Sequence, residues 1–330
     1  MEMAGLLDIL GIGQLRLKNR IVLPAMATEM ANDRGEVTES HIRHYKERAA
    51  SLGLIIVEHC FISTSGRRSF KQLGIDRDEL IPGFNRLVNA VHDYQTCIAV
   101  QINHAGRATT SKICGDQPIA PSPIPILDKL ETPREIVKSD MDEISEDFVK
   151  AACRAVKSGF DAVEIHGAHG YLLNQFTSPL SNKRSDVFGG SFENRIRFPL
   201  EVIKNVKESI GEETILIYRI GADDMHPLGF NIEEAKKFAK LLVNTGVQIL
   251  DVSGGLCGSR PLKHQGFFID LASKIKSAVN VPVIGVGGII DPLFADNVIL
   301  NGKADLVAVG RALLKDPHWA RKSVETLNKS

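Results

Sequence analysis

Short apolar runs recur along the whole chain, and most of them are apolar on both faces. We interpret eight of them as strands, at residues 20–24, 54–58, 97–101, 162–166, 215–220, 248–253, 282–287 and 306–310. Strands that are apolar on both faces are typical of a parallel sheet covered by helices. The pattern therefore predicts an α/β protein.

Helical spacing of apolar residues separates these strands, and start and stop signals mark several of the helices. Asn231 with Glu234 resembles a capping box, and Gly159 supplies a stop signal. Asp291 and Asp316 each precede a proline, as is common at the first turn of a helix. The helices are therefore predicted to begin and end between the strands.

Eight strands that alternate with helices predict a (β/α)₈ TIM barrel, with residues 1–330 forming one domain. A doubly wound open sheet is the alternative, but no Gly-x-Gly-x-x-Gly follows the first strand. The opening segment carries Gly11 and Gly13 in a predicted turn. We expect it to form a hairpin that closes the N-terminal end of the barrel.

Two predicted connections are unusually long, at residues 103–145 and 167–191. Long loops inside compact domains are usually functional or disordered. Both follow the carboxyl ends of strands, where barrel enzymes keep their active sites. We predict that the first, which is rich in proline, caps the barrel after strand three.

Composition excludes several functional classes. The 330 residues are 43% hydrophobic and have a formal net charge of zero, which argues against electrostatic attraction to nucleic acid or anionic membranes. No apolar run is long enough to span a bilayer, and no signal peptide is recognisable. Five scattered cysteines without a Cys-x-x-Cys pair argue against a zinc knuckle or iron–sulfur cluster and favour a reducing cytoplasm.

Polar residues end most of the predicted strands, and a barrel would bring them to one mouth. They are Gln101, His104, Glu164, His166, His169, Tyr171, Arg219, Ser253 and Arg311. Glycine-rich turns also end strands seven and eight, where phosphate-binding barrels usually hold phosphate. Arg311 adds a bidentate donor for phosphate oxygens. We predict a phosphate site at these turns, with plain tight turns as the alternative.

Arg219 lies within an apolar strand, where an unpaired cation is costly. One interpretation is a structural salt bridge, to Glu164 or Asp223. The other is a fixed cation that faces a ligand which becomes anionic. The sequence leaves both open.

His166, His169 and Tyr171 fall within six residues at the end of strand four, and three hypotheses explain them. A zinc site would need a third ligand, for which His104 is the candidate. A buried core position is possible, although such residues form a poor apolar core. In the third hypothesis, two imidazole donors hold an oxygen that gains negative charge while the phenol delivers a proton.

The motifs around these residues identify a family. The stretch "EIHGAHGYLLNQFTSPLSNKRSDVFGGSFENRIRF" at 164–198 closely resembles the active-site block of the Old Yellow Enzyme family of FMN-dependent oxidoreductases. The likeness continues in "LPAMAT", "HYKERAASLGLIIVE", "VQINHAGR", "APSPI", "GFDAVEIH" and "ADLVAVGRALLKDP". The pattern is most similar to the compact, thermophilic-like branch.

The resemblance implies an FMN-binding barrel that passes hydride from NAD(P)H through flavin N5 to activated C=C bonds of α,β-unsaturated carbonyl or nitro compounds. It implies that His166 and His169 hold the substrate oxygen and that Tyr171 protonates the α-carbon. Thr28 would line the substrate pocket with them. The residues implied at the cofactor are Pro24, Ala25, Met26, Cys60, Gln101, His166, Arg219, Ser253, Gly254, Gly287, Gly288, Gly310 and Arg311.

The chain departs from the branch in three places. Met26 stands where many relatives have a cysteine that tunes the flavin potential, and a thioether cannot become a thiolate. Thr28 stands where a tyrosine often lines the pocket. No tail follows "VETLNKS" to supply the arginine that reaches a neighbour's site in related dimers. We expect a homo-oligomer, either a dimer or a tetramer, and the sequence does not determine how its subunits assemble.

Three other functions compete with an ene-reductase. A relative of 2,4-dienoyl-CoA reductase or amine dehydrogenase would carry an iron–sulfur cluster and further domains. A zinc-dependent barrel hydrolase would use His104, His166 and His169. A flavin-binding protein without turnover would serve as a redox partner or sensor.

Overall fold

The computed structural model describes residues 4–126, 131–259 and 262–328, and they contain a closed barrel of eight parallel strands. An N-terminal hairpin precedes the barrel, and a two-stranded pair interrupts its loops. The strands are β1 (Leu10–Ile12), β2 (Leu15–Leu17), β3 (Ile21–Leu23), β4 (Leu54–Phe61), β5 (Cys97–Asn103), β6 (Ile119–Ala120), β7 (Arg134–Glu135), β8 (Ala162–Gly167), β9 (Ile215–Gly221), β10 (Ile249–Ser253), β11 (Val283–Val286) and β12 (Leu306–Ala308). The barrel closes in the order β3-β4-β5-β8-β9-β10-β11-β12, so the predicted (β/α)₈ fold is confirmed.

Helices surround the barrel and follow its strands. They are α1 (Glu39–Ala49), α2 (Ile81–His92), α3 (Ser111–Cys114), α4 (Lys138–Lys157), α5 (Leu172–Thr177), α6 (Phe192–Arg195), α7 (Arg197–Ile210), α8 (Ile232–Asn244), α9 (Ile269–Lys276), α10 (Pro292–Leu300), α11 (Arg311–Lys315) and α12 (Trp319–Leu327), with 3₁₀ turns at Thr64–Gly66 and Asp78–Leu80. Within the described ranges, none of them has both the length and the apolar character that a bilayer crossing requires.

Apolar side chains fill the lower end of the barrel, and the hairpin closes this end as predicted. Only Gly13 lies in its turn, because Gly11 pairs with Arg16 within the two strands. Leu15 and Leu17 of β2 pack in one cluster with interior residues such as Ile56, Ile217 and Ile249. A second cluster lies between the strands and the surrounding helices. Removing these apolar groups from water stabilises the fold and leaves the opposite end of the barrel for polar groups.

The first long loop is shorter than predicted. Helix α4 begins at Lys138, so Ser145 lies within it, because Asp140 accepts a hydrogen bond from the Val137 nitrogen at 2.8 Å and caps the first turn. Residues 127–130 of this predicted capping loop lie outside the described residues. Its flanks contact the second long loop, since Arg184 donates to the Ile136 carbonyl at 2.7 Å.

Most of the predicted helix signals act as expected. The Asn231 side chain accepts from the backbone nitrogens of the first turn of α8, and Asp291 does the same for α10. Gly159 follows α4 with φ +86°. Asp316 differs, because α12 starts at Trp319 and the Asp316 carboxylate instead accepts from the His318 nitrogen at 3.0 Å.

Candidate active site

The two histidines and the tyrosine predicted to act together meet at the carboxyl end of β8. His166 is the penultimate residue of β8, and Tyr171 caps the start of α5. The ring centroids of His166 and His169 are 5.1 Å apart, and those of His166 and Tyr171 are 4.9 Å apart. His169 has φ +59°, which turns the chain sharply between the two rings.

Each imidazole uses one ring nitrogen for a protein partner in the part of the chain that the structure describes. Nδ1 of His166 accepts from the Ala168 nitrogen at 3.3 Å, so its proton is on Nε2. Nε2 of His169 lies 2.7 Å from the Ser253 hydroxyl. When that hydroxyl donates, the His169 proton is on Nδ1. Each ring then keeps one N–H for a ligand.

Burial keeps these groups in the protonation states that the third hypothesis requires, in which His166 and His169 act as a clamp on the acceptor oxygen and Tyr171 delivers a proton. It lowers the pKa of His166 and of His169 well below the ordinary value, and neighbouring positive charge on Arg219 lowers both pKa values further. It raises the pKa of Tyr171. The two imidazoles are therefore neutral donors at neutral pH, and the phenol keeps its proton.

These shifts predict that binding of a non-titrating acceptor is independent of pH between about pH 6 and pH 8. A histidine with a lowered pKa stays neutral above its ordinary pKa of about 6.5, and so does not change state in this range. The check is the dissociation constant of cyclohexenone for the oxidised FMN-loaded protein at each pH. A tenfold change centred near pH 6.5 would contradict neutral imidazoles.

Below the rings lies a polar layer formed by neighbouring strands. Gln101 on β5 pairs in register with Glu164 on β8 and donates to it at 2.7 Å. Arg219 on β9 pairs in register with Asp251 on β10, and Nε lies 3.1 Å from the carboxylate. The structural partner of Arg219 is thus Asp251, not Glu164 or Asp223, because Asp251 is the residue directly across the strand pair.

The polar layer retains hydrogen-bonding capacity. Among the described residues, Oε1 of Glu164, both carboxylate oxygens of Asp251 and Nε of Arg219 are buried without an aligned hydrogen bond. Burial raises the pKa of Glu164 and of Asp251, whereas the positive charge of Arg219 acts to lower both pKa values. Nη1 of Arg219 reaches only the Ala25 carbonyl, at 3.5 Å. Such incomplete pairing is typical of a layer built to meet a polar ligand.

A cleft opens beside this layer, between the ends of β3, β10, β11 and β12. The predicted cofactor residues on its wall are Pro24, Met26, Arg219, Ser253, Gly287, Gly288, Gly310 and Arg311. Four further residues on the wall had not been predicted, namely Ser259, Phe267, Phe268 and Val286. The Arg311 guanidinium lies 5.9 Å from the Phe267 ring centroid. The sequence-predicted phosphate residues therefore share one cleft.

Glycine is required where the two turns line the cleft. A Cβ atom on Gly287 would lie 2.8 Å from the backbone nitrogens of Phe267 and Phe268. One on Gly288 would lie 2.7 Å from Nη2 of Arg311. Because neither residue has a side chain, a phosphate group can approach both the backbone and the Arg311 guanidinium closely. Helix α11, which follows the second of these turns, begins at Arg311 and has five residues. The residues present fit the phosphate end of FMN.

Replacing Gly288 with valine is expected to weaken FMN binding by about 10- to 100-fold, because the side chain fills the space beside Arg311 and removes charge-assisted hydrogen bonds. The measurement is the dissociation constant of FMN by fluorescence quenching. Gly211→Val is the matched control, since Gly211 has a similar φ of +74° and open space around it. Equal weakening in both variants would remove the phosphate role from Gly288.

The remaining predicted residues lie around the cleft, and they differ in whether their side chains are free to contact a ligand. Cys60 is fully buried in the outer core, and Sγ contacts the Glu58 carbonyl at 3.3 Å, so only its backbone can face a ligand. The Thr28 hydroxyl donates to the Glu58 carboxylate, which commits it to the protein. Ala25 and Gly254 are buried beside the cleft.

The structure does not assemble the histidine triad of the zinc hypothesis. Nδ1 of His104 accepts from the Gly106 nitrogen at 3.0 Å, and its ring packs against Gly66. No group of three metal-ligating side chains occurs within the described residues. His104 is therefore a packed residue beside the site, with a pKa lowered by burial to about 3.

A cavity of about 670 Å³ lies far from these residues, between α1 and α12 on the outer surface. The candidate cleft is smaller, at about 60 Å³. None of the predicted site residues borders the larger cavity. The chemistry of the lining, rather than its volume, identifies the candidate site.

Two residues of the mouth were missed by sequence reasoning. The His59 ring centroid lies 5.3 Å from that of Tyr171, and burial raises the pKa of Tyr171 while the nearby positive charge of Arg68 acts to lower it. His59 could have been found, since it extends the polar end of the second predicted strand. Arg68 follows an irregular segment, which carries no comparable signal.

The sequence is similar to those of known flavin and NAD(P)H oxidoreductases. The sequence profile of the NADH:flavin oxidoreductase / NADH oxidase family matches residues 6–330. An NADH oxidase of Thermoanaerobacter brockii is 46% identical over 323 residues, which are 95% of this chain and 50% of that protein. An NADPH dehydrogenase of Bacillus cytotoxicus is 39% identical over 319 residues, which are 96% of this chain and 91% of that protein. The chain thus spans about half the length of the first relative.

The fold comparison leads to the same family. The old yellow enzyme homologue from Zymomonas mobilis superposes with a TM-score of 0.85 at 28% identity, over 98% of this chain and 93% of that one. The family profile and the two relatives likewise describe flavin or NAD(P)H oxidoreductases. The chain therefore belongs to the NADH:flavin oxidoreductase / NADH oxidase family, the FMN-dependent NAD(P)H oxidoreductases that include the Old Yellow Enzyme homologues.

Proposed function

We propose that this protein is an ene-reductase, which uses NAD(P)H to reduce the activated C=C bond of α,β-unsaturated carbonyl or nitro compounds. The observation that carries the proposal is the meeting of two neutral imidazoles, His166 and His169, with the Tyr171 phenol beside a phosphate-sized cleft. We also propose that residues 1–330 form one FMN-binding domain. The free cysteines of the described residues support a reducing compartment such as the cytoplasm.

The residues that line the cleft support the proposal that it binds the cofactor. Arg311, Gly287, Gly288 and Gly310 would hold its phosphate, and Gln101 and Arg219 would meet the polar edge of its ring. When bound, FMN supplies hydride transfer from NAD(P)H to the acceptor. Met26 packs against Gly310, with Sδ 2.9 Å from the position of an added Cβ, and so borders the same space.

The chain's own groups then act on the acceptor. The Nε2–H of His166 and the free N–H of His169 bind the acceptor oxygen, and their donation strengthens as this oxygen gains negative charge. Tyr171 holds a proton that its raised pKa retains until a carbanion forms at the α-carbon. Arg219, whose position is fixed by Asp251, would stabilise negative charge on the ring of a bound flavin.

The proposal is tested by the visible spectrum of the purified, FMN-loaded protein under anaerobic conditions. NAD(P)H is expected to bleach the flavin band, and one equivalent of cyclohexenone is expected to restore it with formation of cyclohexanone. A flavin that is bleached but restored only by oxygen would favour an oxidase or a redox partner instead. A colourless protein that binds zinc would favour the hydrolase.

A further inference from the structure

His59 occupies an unusual position at the end of β4. The pairing of β4 with β5 shifts register between Val57 and Cys60, and such a bulge re-aims the side chains within it. His59 is partly exposed, whereas Glu58 and Cys60 on either side are buried. The bulge therefore directs this one imidazole out of the core and towards the mouth of the barrel.

The His59 ring joins the rings of the candidate active site. Its centroid lies 5.3 Å from that of Tyr171 and 6.3 Å from that of His166. Ring contacts thus run from His169 to His166, from His166 to Tyr171 and from Tyr171 to His59. The rings of His59, His166 and Tyr171 form a triangle, so the third imidazole borders both the histidine pair and the proton donor.

Gln72 determines which nitrogen of His59 carries the proton. Oε1 of Gln72 accepts from the Arg68 backbone nitrogen at 2.7 Å, so its Nε2 is the donor end. That Nε2 lies 2.7 Å from Nδ1 of His59 and 3.1 Å from the His59 carbonyl oxygen. Nδ1 therefore accepts, and the proton is on Nε2. Burial lowers the pKa of His59, which keeps the ring neutral.

The segment that supplies Gln72 is fixed to the barrel. The Phe61 nitrogen donates to the Leu73 carbonyl at 3.0 Å, and the Ile75 nitrogen donates to the Phe61 carbonyl at 2.9 Å. Gln72 itself is only 2% exposed. The amide oxygen of Gln72 binds the Arg68 backbone, and its nitrogen binds His59. Across the described ranges, Nε2 of His59 has no hydrogen-bond partner, although its tautomer is set by a buried side chain.

We propose that His59 is a third imidazole donor of the pocket, which binds a second oxygen of the acceptor and makes the enzyme favour alkenes activated by two oxygen-bearing groups. The inference rests on the proposed function and adds a substrate preference to it. An acceptor whose first oxygen is held by His166 and His169 lies within reach of His59, because the His59 ring centroid is 6.3 Å from that of His166 and 5.3 Å from that of Tyr171. A doubly activated alkene such as a maleimide places a second carbonyl oxygen there.

The direct test replaces His59 with leucine and compares N-ethylmaleimide with cyclohexenone. Loss of one neutral hydrogen bond is expected to lower kcat/KM for the maleimide roughly five- to tenfold. The value for cyclohexenone, which has one oxygen, is expected to fall by a smaller factor, so that the ratio of the maleimide value to the cyclohexenone value decreases. The same variant is expected to bind 4-hydroxybenzaldehyde, but not phenol, more weakly, measured by perturbation of the oxidised flavin spectrum.

Gln72→Glu is the second variant and leaves the His59 ring in place. A carboxylate accepts from Nδ1–H, which moves the His59 proton and turns Nε2 from a donor into an acceptor. It still accepts from the Arg68 nitrogen but loses the hydrogen bond to the His59 carbonyl oxygen, so the kcat/KM for cyclohexenone serves as the control for local damage. The selective loss seen in His59→Leu is expected again, and His59→Gln, whose amide can donate, is expected to restore part of the maleimide preference.

Equal losses for both acceptors, or no loss for either, in His59→Leu and Gln72→Glu would overturn the inference. Failure of the proposed function gives a different result, since the wild-type protein would then reduce neither acceptor. In that case, the relative affinities of 4-hydroxybenzaldehyde and phenol still decide whether His59 binds a second oxygen.

Discussion

Replacing Tyr171 with phenylalanine is expected to slow reduction of cyclohexenone by ~10²–10⁴, the usual contribution of a positioned general acid. The phenylalanine ring keeps the contacts with His166 and His59 but has no proton to give. Flavin reduction by NAD(P)H needs no proton from this residue and is expected to proceed at the wild-type rate. Stopped-flow spectroscopy of the two half-reactions measures both rates.

The matched control is Tyr94→Phe, which removes an exposed phenol outside the pocket and is expected to change neither half-reaction. An oxidative rate in Tyr171→Phe that equals the wild-type rate would remove Tyr171 from the role of proton donor. A parallel loss in both half-reactions would indicate damage to the cleft.

Replacing His166 and His169 together with alanine is expected to lower the rate of acceptor reduction by about 10²–10³ or more, because each preorganised donor to a developing oxyanion contributes on that scale. The rate is measured from enzyme reduced with dithionite, so that any effect on NAD(P)H binding is excluded. His318→Ala, at an exposed histidine outside the cleft, is the control. A double variant that reduces cyclohexenone at the wild-type rate would contradict the clamp.

The barrel could be predicted because each of its strands and helices gives a signal within a short stretch of sequence. All eight predicted barrel strands are present, since runs such as 215–220 are apolar on both faces and lie next to helix signals. Once the barrel is assumed, the rule that carboxyl ends of strands meet at one mouth brings His166, Arg219 and Arg311 together. The structure places these residues at that mouth.

Other parts of the site depend on register and on loops, which the sequence does not display. Asp251 pairs with Arg219 because β9 and β10 align these two positions, and an apolar run gives no sign of that alignment. His59 faces the pocket only because a bulge follows Val57. Phe267 and Phe268 reach the cleft from a loop without periodicity. Each of these contacts joins residues whose relation is set by tertiary packing.

The proposed function requires two imidazole donors that hold an acceptor oxygen against a bound flavin. This arrangement is tested most directly by titrating the oxidised, FMN-loaded protein with phenol and following the long-wavelength charge-transfer band. The account predicts a strong band in the wild-type protein and in His318→Ala, and none in the His166→Ala, His169→Ala double variant. A band of full strength in the double variant would contradict it.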